Sequence, residues 1–220
     1  MTDTQKHKIK NAYHESRDYY DKALTSGNIW LRLYNKIVWG LDDKDYVEEV
    51  LSFIHDDFTG RLLDVPVGTG VHTGNKYAKL KLAHVVALDY SSDMLQKARQ
   101  RLVQHRHIEF VQGDVGALPF KDAEFDMVFS MNGFHAFPDK QKAFDETDRV
   151  LKPGGVFCGC FYIRGQRKMT DFAVRSLYVG KGWFTPPFFT LEELYDILKK
   201  RYRKVHLMNV KSIAYFHCVK

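Results

Sequence analysis

Acidic residues and glycines recur directly after apolar runs in the middle of this sequence. Asp64 is followed by Gly68-Thr69-Gly70, Asp89 ends the run that begins at His84, and Gly113-Asp114 follows the next run. A carboxylate can accept two hydrogen bonds from neighbouring hydroxyl groups such as those of a ribose. Glycines let the backbone approach a ligand closely, and the first amides of a following helix attract an anionic group. The pattern therefore predicts a site for a nucleoside.

Taken singly, these residues have simpler explanations. A Gly-x-Gly pair occurs in many turns, Asp89 could complement the dipole of a following helix, and Asp114 could be a turn residue. A nicotinamide-binding loop would need Gly-x-Gly-x-x-Gly, but Thr73 stands where the third glycine belongs when the motif is counted from Gly68. The recurrence at the ends of successive apolar runs favours one shared nucleoside site.

Strand-like and helix-like segments alternate from residue 60 onward and would position these residues. Strand-like runs cover residues 62–67, 84–89, 107–112, 125–130 and 156–163, and helical spacing covers 69–82, 91–104 and 140–151. Near-continuous apolar strands such as 85–88 are typical of parallel strands covered by helices on both faces. Ligands of such doubly wound α/β sheets bind beyond the carboxyl ends of the strands.

The last part of the chain predicts a helix and a hairpin. Thr190 and Glu193 match a capping box, which predicts a helix over residues 191–201. Residues 204–210 and 213–219 are strand-like and close enough to pair with each other.

Length and composition favour one domain over residues 1–220, since 220 residues with 45% hydrophobic content suit one buried core. Helical spacing and several tyrosines before residue 57 predict a helical cap, 1–57, over a pocket; these aromatics could equally fill the seam with the main domain. The aromatic segment 164–189 predicts a lid-like insertion.

The cysteines and the N-terminus indicate a reducing compartment. Cys158 and Cys160 alternate with Gly159 in an apolar run and would share one face of a strand. No Cys-x-x-Cys or histidine pair completes a ligand set, so we expect reduced core thiols and no metal site. The charged residues 2–10 precede no apolar run, which predicts neither a signal peptide nor a membrane span and favours a cytoplasmic location.

Positive charge raises the question of a nucleic-acid partner. The net charge is +6 and the isoelectric point is about 9.1. The basic residues concentrate near the N-terminus and at 199–204, while the rest of the chain mixes signs. Such runs are more often solvated faces than binding surfaces, so we regard a nucleic-acid partner as the weaker hypothesis.

Five segments share a pattern with one known family: Leu62-Leu-Asp-Val-Pro-Val-Gly-Thr-Gly70, 86–95, 110–120, 125–129 and 149–157. Together they resemble the class I methyltransferases that depend on S-adenosylmethionine, closely over about residues 60–163 and in outline over the final helix and hairpin. The resemblance implies a doubly wound, mostly parallel sheet of seven strands, in the order 3-2-1-4-5-7-6 with the last strand antiparallel. It also implies S-adenosylmethionine as the cofactor.

The same resemblance implies roles for the residues at the strand ends. The methionine part of the cofactor would lie against Asp64, Gly68, Thr69 and Gly70, the ribose against Asp89, the adenine against Tyr90, Met94, Gly113, Asp114 and Val115, and the sulfonium beside Ser130 and Asn132. The family's loop usually reads Asp-x-Gly-x-Gly-x-Gly, and Pro66 stands at its first glycine. Proline cannot donate to a ladder, so the first strand must stop pairing by Val65 or on the side where Pro66 faces no partner. We assign Pro66 no role.

The acceptor of the methyl group is the least determined feature. The sequence is most similar to the small-molecule methyltransferases, including the ubiquinone and menaquinone biosynthesis type. It has neither Asn-Pro-Pro-Tyr nor Asp-Pro-Pro-Tyr after the fourth strand, the pattern that resembles DNA amino-methylating enzymes. A small, partly hydrophobic acceptor could contact the tyrosines Tyr13, Tyr20 and Tyr162. His135 could act as a base on a hydroxyl or phenol, or simply pack in its loop. A nucleic-acid methyltransferase and a non-catalytic S-adenosylmethionine-binding protein are the alternatives, and the oligomeric state stays open.

Overall fold

Strands and helices alternate along the described part of the chain, which is residues 36–40 and 44–220 of a computed structural model. The strands are β1 (Arg61–Asp64), β2 (His84–Asp89), β3 (Ile108–Gln112), β4 (Phe125–Met131), β5 (Leu151–Tyr162), β6 (Lys204–Val210) and β7 (Ile213–Val219). The helices after residue 43 are α1 (Lys44–Ser52), α2 (Gly74–Tyr77), α3 (Ser92–Leu102), α4 (Lys140–Val150), α5 (Lys168–Ala173) and α6 (Leu191–Lys199). A π-helical turn, Val174–Tyr178, continues α5.

All seven strands form one sheet in the order β3-β2-β1-β4-β5-β7-β6. β1 to β5 pair in parallel, and β7 lies antiparallel to both β5 and β6. This confirms the fold class and the strand order that the resemblance implied. The strand order reverses between β1 and β4, so their carboxyl ends open the crevice in which ligands of such sheets bind.

β1 and α2 are shorter than the sequence pattern predicted. β1 stops at Asp64, because Pro66 has no N–H for the ladder; Val65 N–H still donates to the carbonyl of Phe129 at 3.0 Å. The helix starts only at Gly74, because Gly68 and Gly70 have φ of +57° and +68°, outside the right-handed helical region. Pairing does not end at Val65, because the Val67 N–H beyond the proline donates to the carbonyl of Leu88 in β2 at 2.9 Å. The predicted helix over 69–82 was too long.

Apolar side chains fill both faces of the sheet. In β1, Leu62 packs on one side and Leu63 on the other, as the alternation of a strand requires. Cys158 and Cys160 lie together on the Leu62 side, while Cys218 lies on the Leu63 side. These three cysteines are free and buried, which confirms the prediction of core thiols.

Arg149 of α4 fixes the loop that follows β3. Its guanidinium donates to the carbonyls of Leu118 (3.1 Å) and Phe120 (2.9 Å) and pairs with Glu146, whose carboxylate accepts from the Leu118 N–H at 2.7 Å. Backbone donors and acceptors of the loop are thus both hydrogen-bonded. The pKa of the Glu146 carboxyl lies below its usual range, because Arg149 donates to the carboxylate. The loop carries Asp114 into the region of the candidate site.

Gly159 lies where the backbone of β5 leaves no room for a side chain beside β4. It pairs with Ser130, and a Cβ added to it would lie 1.9 Å from the carbonyl oxygen of Ser130. We expect Gly159→Ala to lower the free energy of unfolding by more than about 3 kcal/mol, since the backbone of β4 would have to move. Gly180→Ala is the control, because its nearest atoms would lie at 3.5 and 3.7 Å. Denaturant unfolding measures both, and similar stabilities for the two variants would contradict the close contact.

Candidate functional site

A cavity opens at the carboxyl ends of β1, β2 and β4. The glycine turn after β1 forms one side, and the polypeptide after the π-helical turn closes the other with two aromatic rings. The cavity is lined by Pro66, Val67, Gly68, Thr69, Val71, His72, Thr73, Asp89, Met94, Met131, Asn132, His135, Ala136, Gly182, Trp183 and Phe184. The turn side is rich in polar groups, and the opposite side is mostly apolar.

A second, narrower cavity adjoins the first. It is lined by Val65, Pro66, Leu88, Asp89, Tyr90, Gly113, Asp114, Val115, Ala136, Phe137 and Pro138. Pro66, Asp89 and Ala136 line both cavities. The walls are thus apolar or aromatic, with one carboxylate at the junction and another, Asp114, at the exposed end.

Asp89 joins the end of β2 to the glycine turn. Its Oδ2 accepts from the Gly68 N–H at 2.9 Å, and its Oδ1 accepts from the Ser91 N–H at 2.8 Å. Burial raises the pKa of the carboxyl to about 6, an effect that the N–H donors of Ser91, Gly68 and Tyr90 partly offset. Asp89 is therefore ionised at neutral pH, and it carries negative charge at the junction of the two cavities.

Gly68 leaves open space beside its backbone. A Cβ at this position would have no heavy atom within 4 Å of it, and the φ of +57° disfavours any side chain. The next residue, Thr69, is held by Arg101 of α3, whose guanidinium donates to its carbonyl. The turn is therefore a backbone surface that is exposed to the cavity and held from behind.

Asn132 follows β4 in a left-handed conformation, with a φ of +57°. Its N–H donates to the carbonyl of Cys160 at 2.7 Å, and its side-chain amide donates to the hydroxyl of Tyr46 on α1 at 3.3 Å. Non-glycine residues with positive φ cost free energy and occur often at functional sites. The amide of Asn132 is thus fixed in the cavity wall by a helix that precedes the sheet.

His135 is buried and stacked. Its ring lies 3.9 Å from that of Phe184, at an interplanar angle of 11°, and its Nδ1 accepts from the Tyr162 N–H at 3.2 Å. Burial and the nearby Lys140 ammonium lower its pKa to about 3. The hydrogen bond from Tyr162 occupies the lone pair of the ring, and the lowered pKa disfavours the imidazolium. Each of these opposes the predicted role of general base.

Comparisons with known proteins agree with this geometry. A family model described as a methyltransferase domain matches residues 63–159. The chain is 42% identical over 100 residues to a demethylmenaquinone methyltransferase of Clavibacter sepedonicus, covering 46% of this chain and 40% of that protein. It is 31% identical over 153 residues to the demethylmenaquinone methyltransferase of Staphylococcus carnosus, covering 69% of this chain and 59% of that protein.

Residues 63–159 of the chain thus belong to the methyltransferase domain family. Its fold also matches that of a solved Thermotoga maritima methyltransferase, described as a possible histamine N-methyltransferase, with a TM-score of 0.69 and 17% identity over 96% of this chain and 99% of that one. The chain spans 40% and 59% of the two curated relatives' lengths.

Most of the predicted site residues lie at the two cavities. Those that line one or both of them are Gly68, Thr69, Asp89, Tyr90, Met94, Gly113, Asp114, Val115, Asn132 and His135. Gly70, Ser130, Asp64 and Tyr162 do not line either cavity. Ser130 is buried, and its hydroxyl has no hydrogen-bond partner among the described residues. Tyr13 and Tyr20 lie outside the described residues.

Tyr162 faces the insertion and not the cavities. Its hydroxyl donates to Asp171 Oδ1 at 2.7 Å, and its ring makes edge contacts with Trp39, Phe184 and Phe188. Burial raises its pKa well above the usual range. The described contacts give Tyr162 a packing role, and its contact with an acceptor stays a prediction.

Several lining residues of the candidate site were missed or given no role, among them Pro66, Trp183 and Phe184. Pro66 lines both cavities, and Trp183 and Phe184 form the aromatic wall. The aromatic composition of 164–189 indicated a lid, but it did not show which rings face inward. Lys140 was also missed: its buried ammonium donates to the carbonyls of Phe137 and Thr185 and so ties α4 to this wall.

Asp64 lies behind the glycine turn in a buried polar cluster. Neither carboxylate oxygen has a hydrogen-bond partner among the described residues, and the same is true of the hydroxyls of its neighbours Thr73 and Tyr77. Burial raises the pKa of Asp64 to about 8, although the two hydroxyls lower it somewhat. The carboxyl is therefore mostly protonated at neutral pH. Of this cluster, Thr73 alone reaches the cavity wall.

The protonation of Asp64 predicts how the stability depends on pH. Its pKa is about 8 in the fold against 3.8 ordinarily, so the fold favours the protonated form, and this stabilisation is lost as the pH rises through about 8. We expect Asp64→Asn to remove at least about 2 kcal/mol of the fall in unfolding free energy between about pH 5 and pH 9. The remaining fall would come partly from Asp89, whose pKa is raised to about 6.

Urea unfolding at several pH values measures this difference. Asp57→Asn is the control, because the Asp57 side chain is exposed and should leave the pH profile unchanged. If Asp64→Asn kept the full profile of the unchanged protein, Asp64 would be ionised in the fold and the burial argument would be wrong.

Neither a membrane span nor a metal centre is found within residues 36–40 and 44–220. No helix in that part of the chain is long and apolar enough to cross a bilayer. The same residues contain no group of three or more metal-ligating side chains.

Proposed function

We propose that the chain transfers a methyl group from S-adenosylmethionine to a small, partly hydrophobic acceptor. The observation that carries this proposal is the placement of Asp89 at the junction of two cavities with different walls. A nucleoside bound at Asp89 would leave the polar turn on one side of its reactive end and the aromatic wall on the other.

The narrow cavity fits the adenosine part of the cofactor. Tyr90, Val115 and Phe137 offer flat or apolar surfaces for a base, and Asp114 lies at the outer end for its amino group. Asp89 retains lone pairs beyond those used by Gly68 and Ser91, because a carboxylate has about four acceptor positions. These lone pairs suit the paired hydroxyls of a ribose.

The wider cavity fits the amino-acid part of the cofactor along the turn. Gly68 provides an open backbone surface that a side chain would fill, and Thr69 and Thr73 provide polar groups beside it. When bound, the cofactor supplies a methyl group on a positively charged sulfur. The residues of the chain hold it, orient it and keep water away from it.

The acceptor would occupy the aromatic end of the wider cavity. Met131, Trp183 and Phe184 form an apolar surface there, and Asn132 and His135 add two polar groups. Such a mixture suits a ring-bearing molecule with few polar atoms. The quinone-pathway names of the relatives support this class of acceptor.

The wall formed by the insertion contributes positioning and water exclusion in this proposal. Thr185 N–H donates to the carbonyl of His135 at 2.9 Å, and Lys140 donates to the carbonyl of Thr185. These bonds hold Phe184 over the cavity. We therefore keep the lid-like role of 164–189 as part of the proposal, together with the helical cap over 1–57, of which the structure describes α1 and residues 36–40 and 53–57. A cytoplasmic location and the absence of a nucleic-acid partner remain predictions.

Gly68 provides the sharpest test of cofactor binding. We expect Gly68→Ala to weaken the binding of S-adenosylhomocysteine about tenfold, since the added methyl group would project into the space that the ligand needs. Gly154→Ala is a matched control: Gly154 also has a positive φ, +77°, with no atom within 4 Å of an added Cβ, and it lines neither cavity.

Calorimetric titration compares the two variants with the unchanged protein. Both substitutions should cost about 1 kcal/mol of stability through their positive φ, but Gly154→Ala should bind S-adenosylhomocysteine normally. Equal affinities for Gly68→Ala and Gly154→Ala would contradict the assigned cavity. If the unchanged protein failed to bind the ligand at all, the proposed function would be wrong.

A further inference from the structure

His135 presents one free polar atom to the cavity. The ring lines the cavity, its Nδ1 accepts from the Tyr162 N–H at 3.2 Å, and its Nε2 has no partner among the described residues. The Tyr162 N–H is a donor only, so Nδ1 must carry the lone pair and the proton of the neutral ring must be on Nε2. The cavity therefore receives an N–H donor from this histidine.

The strand geometry explains why His135 is held in this tautomer. β4 ends at Met131, and the Asn132 N–H donates to the carbonyl of Cys160 just beyond the paired strands. Two residues further along β5, the N–H of Tyr162 is buried and has no β4 partner left. A buried backbone N–H needs an acceptor, and His135 supplies it.

Two further contacts fix the plane and the charge of the ring. Phe184 stacks on the ring at 3.9 Å, and the Thr185 N–H donates to the backbone carbonyl of His135 at 2.9 Å. The buried Lys140 lies nearby, and together with burial it disfavours the imidazolium. The histidine is thus a neutral donor in a fixed direction, and it lacks an available lone pair.

We infer that His135 is a specificity-determining hydrogen-bond donor that selects acceptors with an oxygen lone pair at the aromatic end of the cavity. The inference rests on the proposed function, since it concerns the acceptor of the same site. A cationic amine has no lone pair to offer, and a purely hydrocarbon ring would leave the buried N–H unpaired, which costs free energy.

The test compares two probes of similar shape, 1-naphthol and 1-methylnaphthalene, on the protein saturated with S-adenosylhomocysteine. Fluorescence of the tryptophans, which include Trp183 in the wall, reports binding. We expect the ratio of the two dissociation constants to shift about fivefold against 1-naphthol in His135→Phe, the effect of one neutral hydrogen bond. Met131→Ala is the control: Met131 lines the same cavity and, among the described residues, makes no hydrogen bond or ring contact with His135, so the change should weaken both probes and leave their ratio unchanged.

The ratio of the two dissociation constants distinguishes the loss of one hydrogen bond from structural damage, because a distorted cavity would weaken the binding of both probes alike. Nitrogen-15 NMR of the unchanged protein tests the tautomer without any substitution, so the inference stays testable if His135→Phe does not fold. A proton on Nδ1, an imidazolium at pH 6, an unchanged ratio, or no binding of 1-naphthol would overturn it. Failure to bind S-adenosylhomocysteine would instead overturn the proposed function.

Discussion

The two hydrogen bonds accepted by Asp89 hold the candidate site together. One joins the end of β2 to Gly68 after β1, and the other fixes the start of the following helix through Ser91. Neighbouring parallel strands bring their carboxyl ends to the same edge, but they do not by themselves fix the turns that follow. The carboxylate links two of these turns, and the shapes of both cavities depend on that link.

The candidate site contains several features that each lower the stability of a fold. Gly68 and Asn132 have positive φ, Asp64 is buried without a partner among the described residues, and Asp89 is ionised at a buried position. Buried or strained groups of this kind persist when the surrounding structure over-determines them. Here the sheet beneath the site provides that support, because its strands are packed by apolar side chains on both faces.

Local patterns in the sequence were sufficient for much of the sheet. The bounds of β2, β6 and β7 agree with the predicted ones, because their runs are apolar and clearly ended by turns. The strand order came from the family resemblance, since periodicity contains no information on which strands are neighbours. The length of β1 was predicted wrongly, although the effect of Pro66 on the ladder had been recognised.

The site was predictable where a residue directly follows a strand, as Asp89 does. It was less predictable where two distant segments meet. The stacking of Phe184 on His135 joins residues that are far apart in the sequence, and no local pattern indicates such a pair. Asp64 illustrates the opposite difficulty: its place in the motif predicted a contact with the ligand, but its side chain points behind the turn, toward Tyr77.

The buried ammonium of Lys140 has a consequence for how a ligand meets the aromatic wall. Because it donates to the carbonyls of Phe137 and Thr185 at once, it links the start of α4 to the segment beside Phe184. A wall that is ordered before the ligand arrives loses little conformational entropy on binding, so more of the contact energy is retained as affinity. In these terms, Lys140 preorganises an apolar surface that it does not itself line.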